Sequence, residues 1–235
     1  MDQTDRRDGD FLPATCDALL IDMDGTLVDS GASVERSWNR FLEEEGSDRR
    51  FEPSLHGRPA KQLIAELLPH LDADQQRAAG EKIERYEIED ASGTVTMPGT
   101  ARLLDELAQV KEQLGRNVWA IATSCTRALF EARWSFTDLP HPPVLVTADQ
   151  VEHGKPDPEP YLRAAQELGV DPTRCIVLED AIGGLRAGRA AGCRTIALTT
   201  TTSASDLERE ADLVLTSLDE LTVRTDNGQL VLERR

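Results

Sequence analysis

Short, unbroken apolar runs recur along this chain, and each ends on a polar pair or cluster. Ala18-Leu19-Leu20-Ile21 breaks into Asp22-Met23-Asp24-Gly25-Thr26. Val118 to Ala122 runs into Thr123-Ser124, and Val144-Leu145-Val146 into Thr147. Ile176-Val177-Leu178 runs into Glu179-Asp180, and Thr195 to Leu198 into a threonine cluster. Runs that are continuous rather than alternating predict parallel strands covered on both faces. Segments with helical spacing lie between them. One covers residues 100–114, with Leu103, Leu104, Leu107 and Leu114 and a stop at Gly115; the others cover 158–168, stopped by Gly169, and 182–191, closed by Gly192. Strands alternating with helices predict βαβ units and an α/β fold: a doubly wound parallel sheet with a Rossmann-like core.

Residues 29–95 break that rhythm. Val34, Trp38, Phe41 and Leu42 share one helical face, and Leu63, Ile64, Leu67 and Leu68 share another; a third helix is expected over about 72–91 around Ile83 and Ile88. No strand is expected here, so the segment reads as a small helical domain inserted after the first strand. The organisation is then a disordered leader over 1–13, an α/β core from 14–28 and 96–235, and the helical insert over 29–95. An Asn227-Gly228 turn between apolar stubs predicts a terminal hairpin.

Composition narrows the function classes. The 235 residues carry a net charge of −17, with 39% hydrophobic and 4% aromatic residues. So acidic a chain is a poor partner for nucleic acid or an anionic membrane, and no apolar stretch has transmembrane length. An anionic substrate would need local cations or a metal to override the general field. Cys16, Cys125, Cys175 and Cys193 form no CxxC pair and sit at no zinc spacing, which predicts reduced thiols in a cytoplasmic protein. The polar N-terminus carries no apolar signal segment.

Ligands of open α/β sheets bind at the carboxyl ends of the strands, where Asp22, Asp24, Thr123, Ser124, Glu179 and Asp180 should converge with Lys155. Carboxylate oxygens suit a hard divalent cation; the lysine and hydroxyls suit phosphoryl oxygens. Each piece alone has a plainer reading. Asp-x-Asp-Gly-Thr makes a turn, Thr123-Ser124 can cap a helix, Gly154-Lys155-Pro156 can be a turn before a helix, and Glu179-Asp180 can complement a helix dipole. Their joint occurrence, in order and each near a strand end, favours a site.

These stretches resemble the four signatures of the haloacid-dehalogenase-like superfamily. Asp22-Met23-Asp24-Gly25-Thr26-Leu27-Val28-Asp29-Ser30 resembles the first and Ala122-Thr123-Ser124 the second. Gly154-Lys155-Pro156-Asp157-Pro158 resembles the third and Leu178-Glu179-Asp180-Ala181 the fourth. Within that superfamily the chain is most similar to sugar-phosphate phosphatases of the β-phosphoglucomutase-like branch. That resemblance implies that the insert is a cap and that the substrate is a small phosphate ester. It implies Asp22 as nucleophile, Asp24 as acid and base, and Thr123 and Lys155 as catalytic partners. Ser124 and Gly25 would bind phosphate. Mg2+ would be held by Asp22, Asp24 and Asp180, with Glu179 beside them. His56 and Arg58, in a turn of the insert, are candidates for substrate choice. Ala60 stands where mutases of this branch carry a substrate arginine, which favours hydrolysis over phosphomutase activity. A phospho-accepting binding module is the other alternative; it would be smaller and would lack the inserted cap. A monomer or weak homodimer is expected.

Overall fold

The computed structural model describes residues 11–235 apart from 53, 54, 56, 57 and 59. Residues 1–10 of the expected leader, and His56, lie outside the described residues. Phe11 and Leu12 already rest against the core.

The chain opens with strands β1 (Ala14–Cys16), β2 (Ala18–Ile21) and β3 (Val28–Asp29). Helices α1 (Gly31–Glu44), α2 (Ala60–Leu67) and α3 (Ala73–Glu89) follow, and strand β4 (Val95–Thr96) returns antiparallel to β3. The two-residue ribbon β3–β4 was not expected from the sequence; it closes the base of the insert where the chain leaves and rejoins the core. Asp72 starts α3 with a reciprocal capping box to Gln75.

Next come α4 (Thr100–Leu114), β5 (Trp119–Ala122), α5 (Arg127–Trp134) and β6 (Leu145–Val146). They are followed by α6 (Glu159–Leu168), β7 (Cys175–Glu179), α7 (Ile182–Ala190) and β8 (Arg194–Leu198). The chain finishes with a short α8 (Ala204–Leu207), β9 (Leu213–Leu215) and the antiparallel pair β10 (Leu221–Asp226) and β11 (Gln229–Arg234). The expected hairpin forms at Asn227-Gly228, and β1 adds to its other edge.

Six strands build the main sheet in the order β6-β5-β2-β7-β8-β9, all parallel, which is the expected doubly wound arrangement. Alternating side chains point to opposite faces. Leu19 and Ile21 therefore join Leu103, Leu107, Leu129 and Phe130 from α4 and α5, while Ala18 and Leu20 join Tyr161, Ala164 and Ala187 from α6 and α7. The insert has its own cluster, built from Trp38, Phe41, Leu63, Ile64, Ile83 and Tyr86. Two of these clusters lie on opposite faces of one sheet and leave its strand ends free for polar chemistry.

Candidate active site

From the central β2 the chain goes first to β5 and β6 on one side and then to β7, β8 and β9 on the other. Loops that leave in opposite directions open a crevice at the carboxyl ends of β2, β5 and β7. Asp22 follows β2 directly, and its N–H donates to Leu178 O at 3.0 Å, extending the ladder by one step. Its carboxylate is therefore carried on the rigid end of the sheet.

Lys155 reaches this place from the loop before α6. Its Nζ donates to Asp22 Oδ1 at 2.5 Å and to Glu179 Oε1 at 2.6 Å, and its side chain is only 7% exposed. Asp22, Glu179 and Asp180 bring carboxylate oxygens within 4.8 Å of one another, and all three residues are buried. Three carboxylates thus face one ammonium. Burial pushes the Asp22 carboxyl up from its ordinary range, Lys155 opposes that, and Glu179 adds to it. Asp180 is raised by burial and then by Glu179 and Asp22. Burial alone would lower Lys155, but Asp22 and Glu179 outweigh it and hold the ammonium charged. An all-oxygen donor set with surplus negative charge fits a hard divalent cation.

A metal would compete with protons for Asp22 and Asp180. The stabilising shift in Tm on adding magnesium is expected to grow between about pH 5.5 and about pH 8, because deprotonation frees the ligands. Scanning fluorimetry across that range checks it; a shift that is flat or shrinks with rising pH would contradict the metal site.

Glu179 is committed to protein partners at both oxygens. Oε1 accepts from Lys155 and from Tyr161 Oη at 2.9 Å; Oε2 accepts from the N–H groups of Asp180 and Ala181 at 3.0 and 3.1 Å. Its first task is therefore to hold Lys155 and the start of the β7–α7 loop. Gly184 of α7 packs directly on it, and a Cβ there would lie 1.6 Å from Oε1. Alanine in a helix interior normally gains up to about 1 kcal/mol over glycine. Here the overlap outweighs that gain, so Gly184→Ala is expected to lower both Tm and turnover. A variant as stable and active as the parent would show that Glu179 needs no fixed seat.

The N–H of Gly25 donates to Val28 O at 2.8 Å. Its φ is +81°, and a Cβ would lie 2.2 Å from Asp180 Oδ2. The glycine is there so that the turn can lie against Asp180. Thr200 Oγ1 donates to its carbonyl, and Thr201 Oγ1 donates to Asp180 Oδ2.

Thr123 is buried, and its Oγ1 accepts from Cys125 N–H at 3.1 Å. Ser124 is exposed, and neither its N–H nor its hydroxyl has a partner among the described residues. A helix does follow Ser124, starting at Arg127. Thr126 is the N-cap of α5, accepting from Leu129 N–H, so the Ser124-Cys125 turn stands between the strand end and the helix.

Asp24 is tied down at both oxygens. Ser30 Oγ donates to Oδ1 at 2.5 Å, Arg133 Nη1 donates to Oδ2 at 2.9 Å, and Cys125 Sγ also contacts Oδ2 at 3.1 Å. Burial pushes the Cys125 thiol well up, which argues against a reactive thiolate. Arg58, by contrast, is paired with Glu66 of α2 at 2.5 Å. The structure thus gathers Asp22, Asp24, Thr123, Lys155, Glu179 and Asp180, and leaves Arg58 apart. Sequence reasoning missed Arg133, Tyr161 and Thr201. Of these, Arg133 gave a signal: it falls three residues after Phe130, on the apolar stripe of α5.

Comparison with known proteins identifies the family. A family model described as haloacid dehalogenase-like hydrolase matches residues 16–192. Hexitol phosphatase A of Escherichia coli is 36% identical over 93% of this chain and 99% of its own length. Validoxylamine A 7'-phosphate phosphatase of Streptomyces hygroscopicus is 35% identical over 86% of this chain and 94% of its own. The crystal structure of CbbY from Rhodobacter sphaeroides with xylulose-(1,5)bisphosphate superposes with a TM-score of 0.67, at 29% identity over 86% of this chain and 95% of that one. The chain belongs to the haloacid dehalogenase-like hydrolases. Both curated relatives are named as phosphatases, and this chain is a phosphoric monoester hydrolase. No helix among the described residues is long and apolar enough to cross a membrane.

Proposed function

We propose that this hydrolase cleaves the phosphate monoester of a small sugar or polyol, with Asp22 as covalent nucleophile and magnesium as its metal. The observation that carries the reading is the buried cluster of Asp22, Lys155, Glu179 and Asp180 at neighbouring strand ends, with Asp24 one step along the same turn. Phosphoryl transfer asks a protein mainly for position and charge, and that is what this cluster supplies.

In the first step an Asp22 carboxylate oxygen bonds to phosphorus while the bond to the leaving oxygen breaks, and Asp24 gives that oxygen a proton. In the second, Asp24 takes a proton from water, water oxygen bonds to phosphorus, and the bond to Asp22 breaks. Lys155, Thr123 and the free N–H of Ser124 hold the transferring oxygens. Asp22, the Asp24 carbonyl and Asp180 would hold the magnesium, with Glu179 behind them. When bound, the ion supplies positive charge that offsets repulsion between a carboxylate and a phosphate dianion.

The sugar or polyol class is supported by relatives named for hexitol and validoxylamine phosphates. Substrate choice falls to the insert over 29–95, acting as a cap, with His56 and Arg58 as its candidate residues. Four buried cysteines outside any disulfide support a cytoplasmic location, and the assembly in this reading is a monomer or weak homodimer. Phosphate release from a panel of hexitol, glycerol and sugar phosphates, with magnesium or with EDTA, tests the reading. Magnesium-dependent release on a few members is expected. An isomerised sugar phosphate in place of inorganic phosphate would replace hydrolysis by a mutase reaction, and silence on the whole panel would remove the proposed substrate class.

A further inference from the structure

Arg133 lies outside all four signature stretches, yet it holds the side chain the reaction turns on. It sits on α5, is 4% exposed, and spans two carboxylates. Nη1 donates to Asp24 Oδ2 at 2.9 Å, and Nη2 donates to Glu87 Oε2 at 3.3 Å. Glu87 belongs to α3 of the insert, and its other oxygen accepts from Trp38 Nε1 of α1 at 3.1 Å. A second link runs beside it, from Thr126 Oγ1 of the core to Glu84 of α3.

A buried guanidinium is a costly way to gain stability, since apolar residues of like volume often serve as well or better. The charge therefore calls for another explanation. Asp24 supplies one: its Oδ1 is held by Ser30, and without Arg133 its Oδ2 would keep only a thiol contact. Two donors fix the plane of the carboxyl group, and one of them is anchored across the boundary between core and insert.

We infer that Arg133 is a positioning residue that orients the Asp24 carboxyl group, with Glu87 of the insert anchoring the far end of its guanidinium. The inference rests on the proposed role of Asp24 as proton donor to the leaving oxygen. Arg133 itself touches no reacting atom. Its planar fork meets the two carboxylates with two nitrogens at a fixed spacing, a geometry that the single flexible ammonium of a lysine does not reproduce.

The test compares leaving groups. A sugar alcohol departs only with a proton, whereas p-nitrophenolate departs without one. kcat/KM is measured for Arg133→Lys, Glu87→Gln and Asp24→Asn on p-nitrophenyl phosphate and on whichever polyol phosphate the parent hydrolyses, with Tm recorded for each. Glu87→Gln keeps an acceptor for Trp38 and remains informative if Arg133→Lys folds poorly. The loss on the polyol phosphate is expected to exceed the loss on the aryl phosphate by about tenfold or more for both positioning variants. Equal losses on the two substrates, or none, would overturn the role of Arg133. If Asp24→Asn shows no such selectivity either, the fault lies with Asp24 as acid rather than with its arginine.

Discussion

Asp22→Asn is expected to abolish phosphate release while leaving the protein folded. The amide has the shape of the carboxyl group but neither its charge nor its nucleophilic oxygen. Loss of a covalent nucleophile costs on the order of 10⁴-fold or more in turnover, equivalent to about 5 kcal/mol of transition-state stabilisation. Stability should move the other way. Burial raises the Asp22 carboxyl, so the fold disfavours its charge. A group raised in the folded state destabilises it once pH exceeds the unfolded value, about 3.9 for aspartate, and the penalty reaches its full size above the folded value. At neutral pH the asparagine removes that penalty and can still accept from Lys155. Without metal the variant should melt at or above the parent temperature, and the shift produced by magnesium should shrink. Activity within about tenfold of the parent would rule out Asp22 as nucleophile.

Lys155→Ala should harm the fold as well as the reaction. The substitution leaves Asp22, Glu179 and Asp180 buried together with no cation among them. Breaking a buried ion pair from one side costs about 3–5 kcal/mol, although protonation of a carboxyl group relieves part of it here. For a chain of this size that corresponds to a fall in Tm on the order of 10 °C. Magnesium should recover more Tm in the variant than it adds to the parent, because it restores positive charge to the same cluster. Turnover should not recover with it, since the ammonium proposed to hold the transferring phosphate is gone. Lys155→Arg should also fail in turnover, because a planar fork cannot replace a point charge 2.5 and 2.6 Å from two carboxylates. A lysine-free variant with parental Tm and near-parental turnover would show that the cluster is solvated and that its charge is unimportant.

Much of this arrangement was legible from local pattern. Continuous apolar runs located β2, β5, β6, β7 and β8, and the polar residues that end them do share one end of the sheet. Glycine stops at 115 and 169 follow α4 and α6 in left-handed conformations, as the spacing implied. The strands that escaped notice are short. β9 has three residues and no polar signature, and β3 and β4 have two residues each and exist only because they pair. The site residues that escaped notice are defined by long-range contact. Glu87 and Arg133 are far apart in the chain, and Glu87 lies on a helix rich in exposed charges. Tyr161 reads as core from its spacing, and it is core; only the fold shows that its hydroxyl ends on Glu179. Gly25 reads as a phosphate-binding residue by its place in a signature, and only coordinates reveal that its N–H donates to Val28 O.

The central claim is that hydrolysis passes through an Asp22 phosphate, and the stereochemistry at phosphorus tests it without requiring the intermediate to accumulate. Each in-line displacement inverts the configuration. A substrate whose phosphorus is made chiral with oxygen isotopes and sulfur, hydrolysed in isotopically labelled water, reports the number of displacements. The account predicts net retention, from attack by Asp22 followed by attack by water. Net inversion would mean that water attacks the substrate directly, and that Asp22 is not the nucleophile.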